Sequence, residues 1–276
     1  MSGRLYLIGT PIGNLGDLSD RARQTLRAVD LVAAEDTRRT GRLLIHAGVE
    51  RPMVSLFEGN ERERTEELLH RLRAGAVVGL LTDAGMPAIS DPGFRLVRRC
   101  VEEGIDVRVV PGPSAVTSAL VVSGLPVDRF VFEGFLPRRA AERRARLRAL
   151  SDDPRTLVVF ESPRRLAGLL RDVAAGLGDR RVAVARELTK LHEEVVRGRA
   201  TEVLARIGDA PVRGEVTVVI EGAGPREAPP LEDLVREAVA LVSAGRRKRE
   251  AAASVAGERG GSANEIYEAL VRRPPG

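Results

Sequence analysis

The sequence predicts an α/β protein: a mostly parallel sheet with helices on its faces, then a mixed sheet, then a small helical tail. Three observations carry this expectation. Short apolar strands alternate with amphipathic helical stretches through the first half. Val77–Leu81 is an uninterrupted apolar run, as a strand buried on both faces requires. Between Val182–Arg186 and Glu194–Arg197 the chain is too short for a crossover helix, so these strands should pair antiparallel.

In order, Leu5–Ile8 reads as the first strand. Ser19 is placed to cap a helix whose Ala22, Leu26 and Val29 share one face. Leu31–Ala34 is the next strand, followed by a helix around Arg42–Ala47 that stops at Gly48. Met53–Phe57 is a third strand, and Glu66–Ala74 a helix with Leu68, Leu69 and Leu72 inward, ending at Gly75. After Val77–Leu81 come a helix over Phe94–Glu103, stopped by Gly104, and a strand at Val107–Val110. The second half opens with Phe130–Phe132 and a basic helical stretch from Arg138 to Leu150. Strands follow at Thr156–Phe160, Val182–Arg186, Glu194–Arg197 and Val216–Ile220. Gly222–Pro230 is a linker, and the tail carries helices around Leu231–Ala244, Arg249–Glu258 and Asn264–Arg272.

Composition narrows the function classes. The chain of 276 residues is 43% hydrophobic and 30% charged, enough for a real core on a soluble chain. Its longest apolar run, Ala115–Val127, is too short for a bilayer and is broken by polar residues and Pro126. No secretory signal opens the sequence and Cys100 has no cysteine partner, so a cytoplasmic location is expected. Net charge is +5, and nearly every cation is arginine, Lys190 and Lys248 being the two lysines. Guanidinium groups suit phosphate, so the basicity permits an RNA partner without establishing one.

Several chemistries lack their signatures. There is no phosphate-binding loop, and Gly9-Thr10-Pro11-Ile12-Gly13-Asn14 has the wrong spacing for a dinucleotide fingerprint. His46, His70 and His192 do not sit at metal-ligand spacing, so no metal is expected. No nucleophile elbow occurs.

In open α/β sheets, ligands bind beyond the carboxyl ends of the strands. That rule selects three loops: Gly9–Asn14, Asp83–Gly93 and Pro111–Ala115. The second is too long for a simple turn, and its Gly85 and Gly93 let backbone approach another object. Asp83 is expected to accept hydrogen bonds from a polar ligand, and Ser114 either to cap a helix or to touch the ligand; the competing reading of the second loop is a tight connection in which Asp91-Pro92 starts the next helix. Small residues at Gly9-Thr10-Pro11 are expected to leave room for something flat.

Seven segments then appear in order: Gly9–Leu15, Ala34-Glu35-Asp36-Thr37-Arg38, Asp83–Gly93, Pro111–Ala115, Phe160–Arg165, Ala185–Lys190 and Arg213-Gly214-Glu215. Together they resemble the tetrapyrrole-methylase superfamily of S-adenosylmethionine methyltransferases. The likeness is nearest to its ribosomal branch, which methylates the 2′-oxygen of a cytidine in the P-site region of bacterial 16S rRNA. The resemblance implies a two-domain fold, with the methyl donor held between a parallel-sheet and a mixed-sheet domain, and a homodimer. The expected divisions are 1–113, 114–223 and a helical basic region over 229–276. By matching motif positions, it implies cofactor contacts from Pro11, Leu81, Asp83, Met86, Ser114, Ala115, Glu161 and Leu188, with Gly85 and Gly112 shaping the loops. Glu161 departs from the superfamily, where an apolar residue stands.

Methyl transfer to a ribose hydroxyl is an in-line displacement in which alignment is the main task. A group that removes or polarises the hydroxyl proton would help, and Lys190 with Glu187 or Glu35 nearby is the expected set. A structural ion pair is the competing reading of Lys190. Arg38, Arg138, Arg139, Arg164, Arg246, Arg247, Lys248 and Arg249 are candidate RNA contacts. Aromatics make up only 3% of the chain, so shape and phosphate rather than base stacking should dominate. The expected partner is 16S rRNA or the small ribosomal subunit, with neither DNA nor membrane. The rival readings are a same-fold methylase of a tetrapyrrole or in the diphthamide pathway, and a non-catalytic ribosome-binding protein.

Overall fold

The computed structural model describes residues 3–208, 214–224 and 229–272. Arg213, residues 225–228 of the linker and the last four residues of the tail lie outside them. The chain divides into two compact units: one holds both sheets, and the other holds the tail helices together with Asp152–Pro154.

The first sheet is built from β1 (Arg4–Ile8), α1 (Asp20–Ala28), β2 (Leu31–Ala34), α2 (Thr37–Ala47), β3 (Met53–Ser55), α3 (Glu61–Arg73), β4 (Val77–Leu81), α4 (Phe94–Glu102) and β5 (Asp106–Val110). Its order is β3-β2-β4-β1-β5, and every pairing is parallel. Burial of β2 and β4 on both faces explains their unbroken apolar sequences. One face packs on Leu26, Val29, Leu43 and Leu44, the other on Leu68, Leu72, Leu96 and Cys100. The Ser19 hydroxyl accepts from the Ala22 amide at 3.1 Å, as the sequence predicts.

Helix α5 (Ala115–Ser123) leads into the second sheet: β6 (Phe130–Phe135), α6 (Ala140–Ala149), β7 (Thr156–Glu161), α7 (Leu166–Leu177), β8 (Arg181–Arg186), β9 (Glu194–Arg199), α8 (Ala200–Ile207) and β10 (Val216–Ile220). The order is β6-β7-β10-β8-β9, with β6 and β7 parallel and the other pairs antiparallel. The antiparallel β8–β9 pairing agrees with the short connection between them. A register shift between Phe132 and Gly134 bends β6 so that Phe135 ends it beside Phe160, with ring centroids 5.6 Å apart.

Several boundaries differ from expectation. Helix α2 begins at Thr37 rather than near Arg42, because the Asp36 carboxylate caps it by accepting from the Arg38 amide at 2.8 Å. The third strand stops at Ser55 because the Phe57 amide turns to the Asn60 side chain at 2.8 Å. Helix α4, by contrast, starts at Phe94 as expected, after Gly93 at φ +118°. Helices α7 and α8 have no counterpart in the sequence reading. Helix α7 buries the stripe Leu166, Leu169, Leu170, Val173 and Leu177, and its Asp172 is buried against Arg143 of α6 at 2.8 Å.

The tail unit contains α9 (Leu231–Ser243), α10 (Lys248–Arg259) and α11 (Ala263–Arg272), close to the expected spans. They enclose a small core of Leu234, Val235, Ala238, Ala251, Ala252, Val255, Ile266 and Leu270.

Candidate active site

A cavity of about 350 Å³ opens at the carboxyl ends of the first sheet's strands and of β6, β7 and β8. Strand β10 runs antiparallel to β7 and β8, so its amino end, Val216-Thr217, reaches the same rim. The volume lies within the range of about 300–1,000 Å³ for small-molecule sites. Of the residues implicated by the sequence, Gly85, Met86, Ser114, Ala115, Glu161 and Leu188 line it. Pro11, Leu81 and Asp83 are not among the lining residues, and Leu81 is fully buried in the core.

Three loops of the first sheet are stitched together around this cavity. Thr10 and Gly85 exchange backbone hydrogen bonds at 2.9 and 3.2 Å, and the Thr10 hydroxyl donates to the Thr82 carbonyl at 3.1 Å. A Cβ on Gly9 would lie 2.6 Å from Gly112, so these glycines allow backbone-to-backbone contact. The space at Gly9 that the sequence assigned to a flat ligand is taken up by Gly112 and the Met86 sulfur.

Asp83 is likewise committed to the protein. Its Oδ1 accepts from the Asp36 amide at 3.2 Å, its Oδ2 meets Arg39 at 3.1 Å, and its own amide donates to the Glu35 carboxylate at 3.1 Å. Glu35 and Asp83 therefore tie the β2 and β4 loops together. Burial pushes both carboxyls above their ordinary pKa. Asp91, which lines the cavity, is pushed up to about 6 by burial first and then by the charge of Glu35.

Ser114 occupies the N-cap position of α5, but its hydroxyl makes no capping bond, leaving it available at the cavity wall. Glu161, at the end of β7, is 2% exposed. Its Oε1 accepts from the Ser162 amide and the Arg165 Nε, both at 2.6 Å, while its Oε2 has no partner.

At the cavity edge, Lys190 Nζ donates to Glu187 Oε1 at 2.9 Å and to Glu215 Oε2 at 3.1 Å. Partial burial pulls its pKa down, but the hydrogen bonds to Glu187 and Glu215 outweigh this and hold it above the ordinary lysine value. The Lys190 hydrogen bond holds the Glu187 pKa low. A Cβ on Gly214 would collide with the Glu187 carboxylate at 2.0 Å, and one on Gly13 with the Lys190 chain at 2.5 Å. Among the described residues, the non-glycine residues with positive φ are Ala88, Ser90, Glu187 and Thr189, all in the β4 and β8 loops that border the cavity. Such strain concentrates at functional sites.

The profile of tetrapyrrole (corrin/porphyrin) methylases matches residues 4–204. The chain belongs to that family. It is 50% identical over 220 residues to ribosomal RNA small subunit methyltransferase I of Thermotoga maritima, covering 80% of this chain and 99% of the relative. With the Mycobacterium tuberculosis (strain CDC 1551 / Oshkosh) protein of the same name it shares 46% identity over 275 residues, 98% of this chain and 95% of the relative. Among solved structures, uroporphyrin III C-methyl transferase from Thermus thermophilus matches with a TM-score of 0.56 at 25% identity, covering 79% of this chain and 97% of that one. Diphthine synthase matches in fold, with a TM-score of 0.59 at 17% identity, over 80% of this chain and 90% of that one.

Methylases of this family take the methyl group from S-adenosylmethionine. The cavity fits such a donor: its walls are largely apolar, and the Ser114 hydroxyl at its wall makes no capping bond. Sequence reasoning missed the lining residues Ile12, Phe135, Phe160, Ala185 and Thr217. Ile12, Phe160 and Ala185 lie inside segments that the sequence singles out, whereas Phe135 and Thr217 sit in ordinary strand sequence and reach the rim only through tertiary packing.

The RNA candidates divide by their partners. Arg38 pairs with Asp36 at 2.8 Å and Arg139 with Glu142 at 3.2 Å. Lys248 donates to the Leu270 carbonyl at 2.8 Å, Arg247 pairs with Glu250, and Arg246 donates to the Ser254 hydroxyl at 3.1 Å. Arg138, Arg164 and Arg249 are exposed.

Proposed function

We propose that the protein transfers a methyl group from S-adenosylmethionine to the ribose 2′-oxygen of a cytidine in 16S rRNA, near the ribosomal P site. The observation that carries this reading is the cavity: six cofactor positions inferred from motifs line one pocket, with the Lys190 ammonium at its edge. Relatives of 46–50% identity that are named for methylating small-subunit rRNA give the substrate class.

The bound donor supplies an electrophilic methyl group on a sulfonium. The remaining work is alignment and handling of one proton. The strained loops at Ala88–Ser90 and Glu187–Thr189 fix the walls, so the acceptor oxygen meets a preformed site. Lys190 stays protonated, held by two carboxylates, and so cannot serve as the base. In this reading it polarises the hydroxyl and stabilises the negative charge developing on oxygen. Glu187, kept ionised by Lys190, positions that ammonium, and Glu35 acts through the loop that it ties to Asp83. Asp91 lines the cavity with a pKa of about 6, matched to accepting the hydroxyl proton near neutrality.

The exposed Arg138 and Arg164 follow closely in sequence the lining residues Phe135 and Pro163, which supports an RNA path over the cavity mouth. The contacts of Lys248, Arg247 and Arg246 within the tail leave Arg249 the better phosphate contact there. The working form is a cytoplasmic homodimer, organised as residues 1–113, 114–223 and 229–276. Light scattering on the purified protein tests the dimer.

The function itself is tested by mapping 2′-O-methylation on small-subunit rRNA from cells lacking this gene. Loss of one cytidine modification, restored by the wild-type gene, is expected. An unchanged methylation map would overturn the reading.

A further inference from the structure

The second sheet ends in an open edge. Strand β9 is the last of its strands and pairs with β8 alone. Native edges are usually blunted against further pairing, and here arginines do it. Arg197 Nη1 donates to the Val195 carbonyl at 3.4 Å, and Arg206 Nη1, from α8, donates to the Arg197 carbonyl at 3.3 Å. Arg197 is also tethered to the end of α5, its Nε donating to the Val122 carbonyl at 3.0 Å.

Both arginines line a groove of about 560 Å³, together with Arg186 and Glu194. The carboxylate there is already taken, because Glu194 Oε2 pairs with Arg186 Nε. Arg197 and Arg206 are exposed, and among the described residues neither meets a carboxylate. Carbonyl oxygens thus orient the two guanidiniums while leaving their charge uncompensated and some of their N–H donors free. Planar guanidiniums held in this way suit phosphate oxygens.

Position decides which phosphates these are. Arg186 and Glu194 are ladder partners at the foot of the loop 187–193. That loop carries Leu188 into the cavity wall and Lys190 to the cavity edge, so the groove continues into the site. Arg138 and Arg164 follow β6 and β7, on the opposite side of the same sheet. We propose that the groove holds the RNA backbone on the β9 side of the cavity mouth, with Arg197 and Arg206 each contacting a phosphate. The strand is then gripped on both sides of the sheet, with the target ribose between. The proposal rests on the rRNA substrate of the proposed function and deepens that reading. The competing occupant is a second copy of the chain adding a strand to β9. The guanidiniums on the Val195 and Arg197 carbonyls oppose it, since they occupy acceptors such a strand would need.

The test uses the full-length protein and small ribosomal subunits from cells lacking the gene. Arg197→Gln and Arg206→Gln keep a side-chain donor for the carbonyls and remove the charge. Each is expected to raise KM for the subunits about tenfold and to lower the log–log salt slope of binding by about one, with little change in kcat. Arg197→Lys and Arg206→Lys should restore the slope. In the wild-type protein, bound subunits should shield both arginines from phenylglyoxal, read residue by residue by mass spectrometry. That arm needs no variant to fold. Arginines that stay reactive overturn the proposal, and so do folded Gln variants with wild-type KM and salt slope. Gln variants that change the oligomeric state in light scattering, yet bind subunits normally, assign the groove to a second copy and overturn it too. Wild-type protein that leaves the subunits unmethylated is a different result, and it overturns the proposed function itself.

Discussion

Gly9 and Gly112 meet backbone to backbone: a Cβ on Gly9 would come within 2.6 Å of the Gly112 Cα, and one on Gly112 within 2.8 Å of Gly9. This contact joins the ends of β1 and β5, the base from which the cavity loops rise. A methyl group at either position forces the loops apart. Gly9→Ala is therefore expected to cost about 1–3 kcal/mol, the usual range for overpacking. Thermal unfolding measures it, and the affinity for S-adenosylhomocysteine should fall in parallel.

Lys190 separates two accounts of the reaction. Because its ammonium is held by Glu187 and Glu215, Lys190→Ala should lower kcat by about 100-fold while leaving cofactor affinity within a few-fold. Single-turnover rates and calorimetry distinguish these effects. Since its pKa lies above the ordinary lysine value, the rate should show no titration of Lys190 between pH 6 and 9. Wild-type turnover in Lys190→Ala would reduce the residue to a structural ion pair.

Asp91 gives a pH signature of definite sign. Its pKa is raised to about 6 in the fold, so the folded state binds its proton more tightly than the unfolded chain does. The resulting stability is present below the unfolded value near 4 and is lost as pH rises through about 6. Asp91→Asn should therefore be more stable than wild type at pH 8 and equal to it near pH 4. Allowing for partial exposure, the difference at pH 8 should be about 1 kcal/mol. Its methyl-transfer rate should lose the ascending limb near pH 6.

The buried pair of Arg143 and Asp172 binds α6 to α7 at 2.7–2.8 Å. Asp172→Ala would strand the Arg143 guanidinium away from water and is expected to cost about 3–5 kcal/mol. Chemical denaturation with an unchanged m-value checks it.

Two basic clusters should respond differently. Removing Arg138 or Arg164 should lower the salt dependence of rRNA binding, by about one unit of log–log slope per lost phosphate contact. Lys248→Ala should instead loosen the tail core, because its ammonium caps the Leu270 carbonyl at 2.8 Å. Filter binding across a salt series, together with hydrogen exchange in α11, separates the two outcomes.

Much of this architecture is legible in the sequence because local chemistry dictates it. Val77–Leu81 can only be a strand buried on both faces, Ser19 caps α1, and the loop Asp83–Gly93 is too long and too rich in glycine and proline for a plain turn. What the sequence hides is set by distant partners. Asp83 reads as a ligand acceptor, and only the fold shows Asp36 and Arg39 engaging its carboxylate. Helix α7 carries its own signal, the buried stripe Leu166, Leu169, Leu170, Val173 and Leu177 at helical spacing, although the sequence reading assigns no helix there. Phe135 reaches the cavity only through the irregularity in β6.

The central claim is that this cavity delivers a methyl group to a ribose oxygen. The most direct measurement incubates the purified protein and isotope-labelled S-adenosylmethionine with small ribosomal subunits from cells lacking the gene, then identifies the labelled nucleoside by mass spectrometry. The account predicts a single labelled species, 2′-O-methylcytidine. Label on a base atom, or no label in the RNA at all, would contradict it.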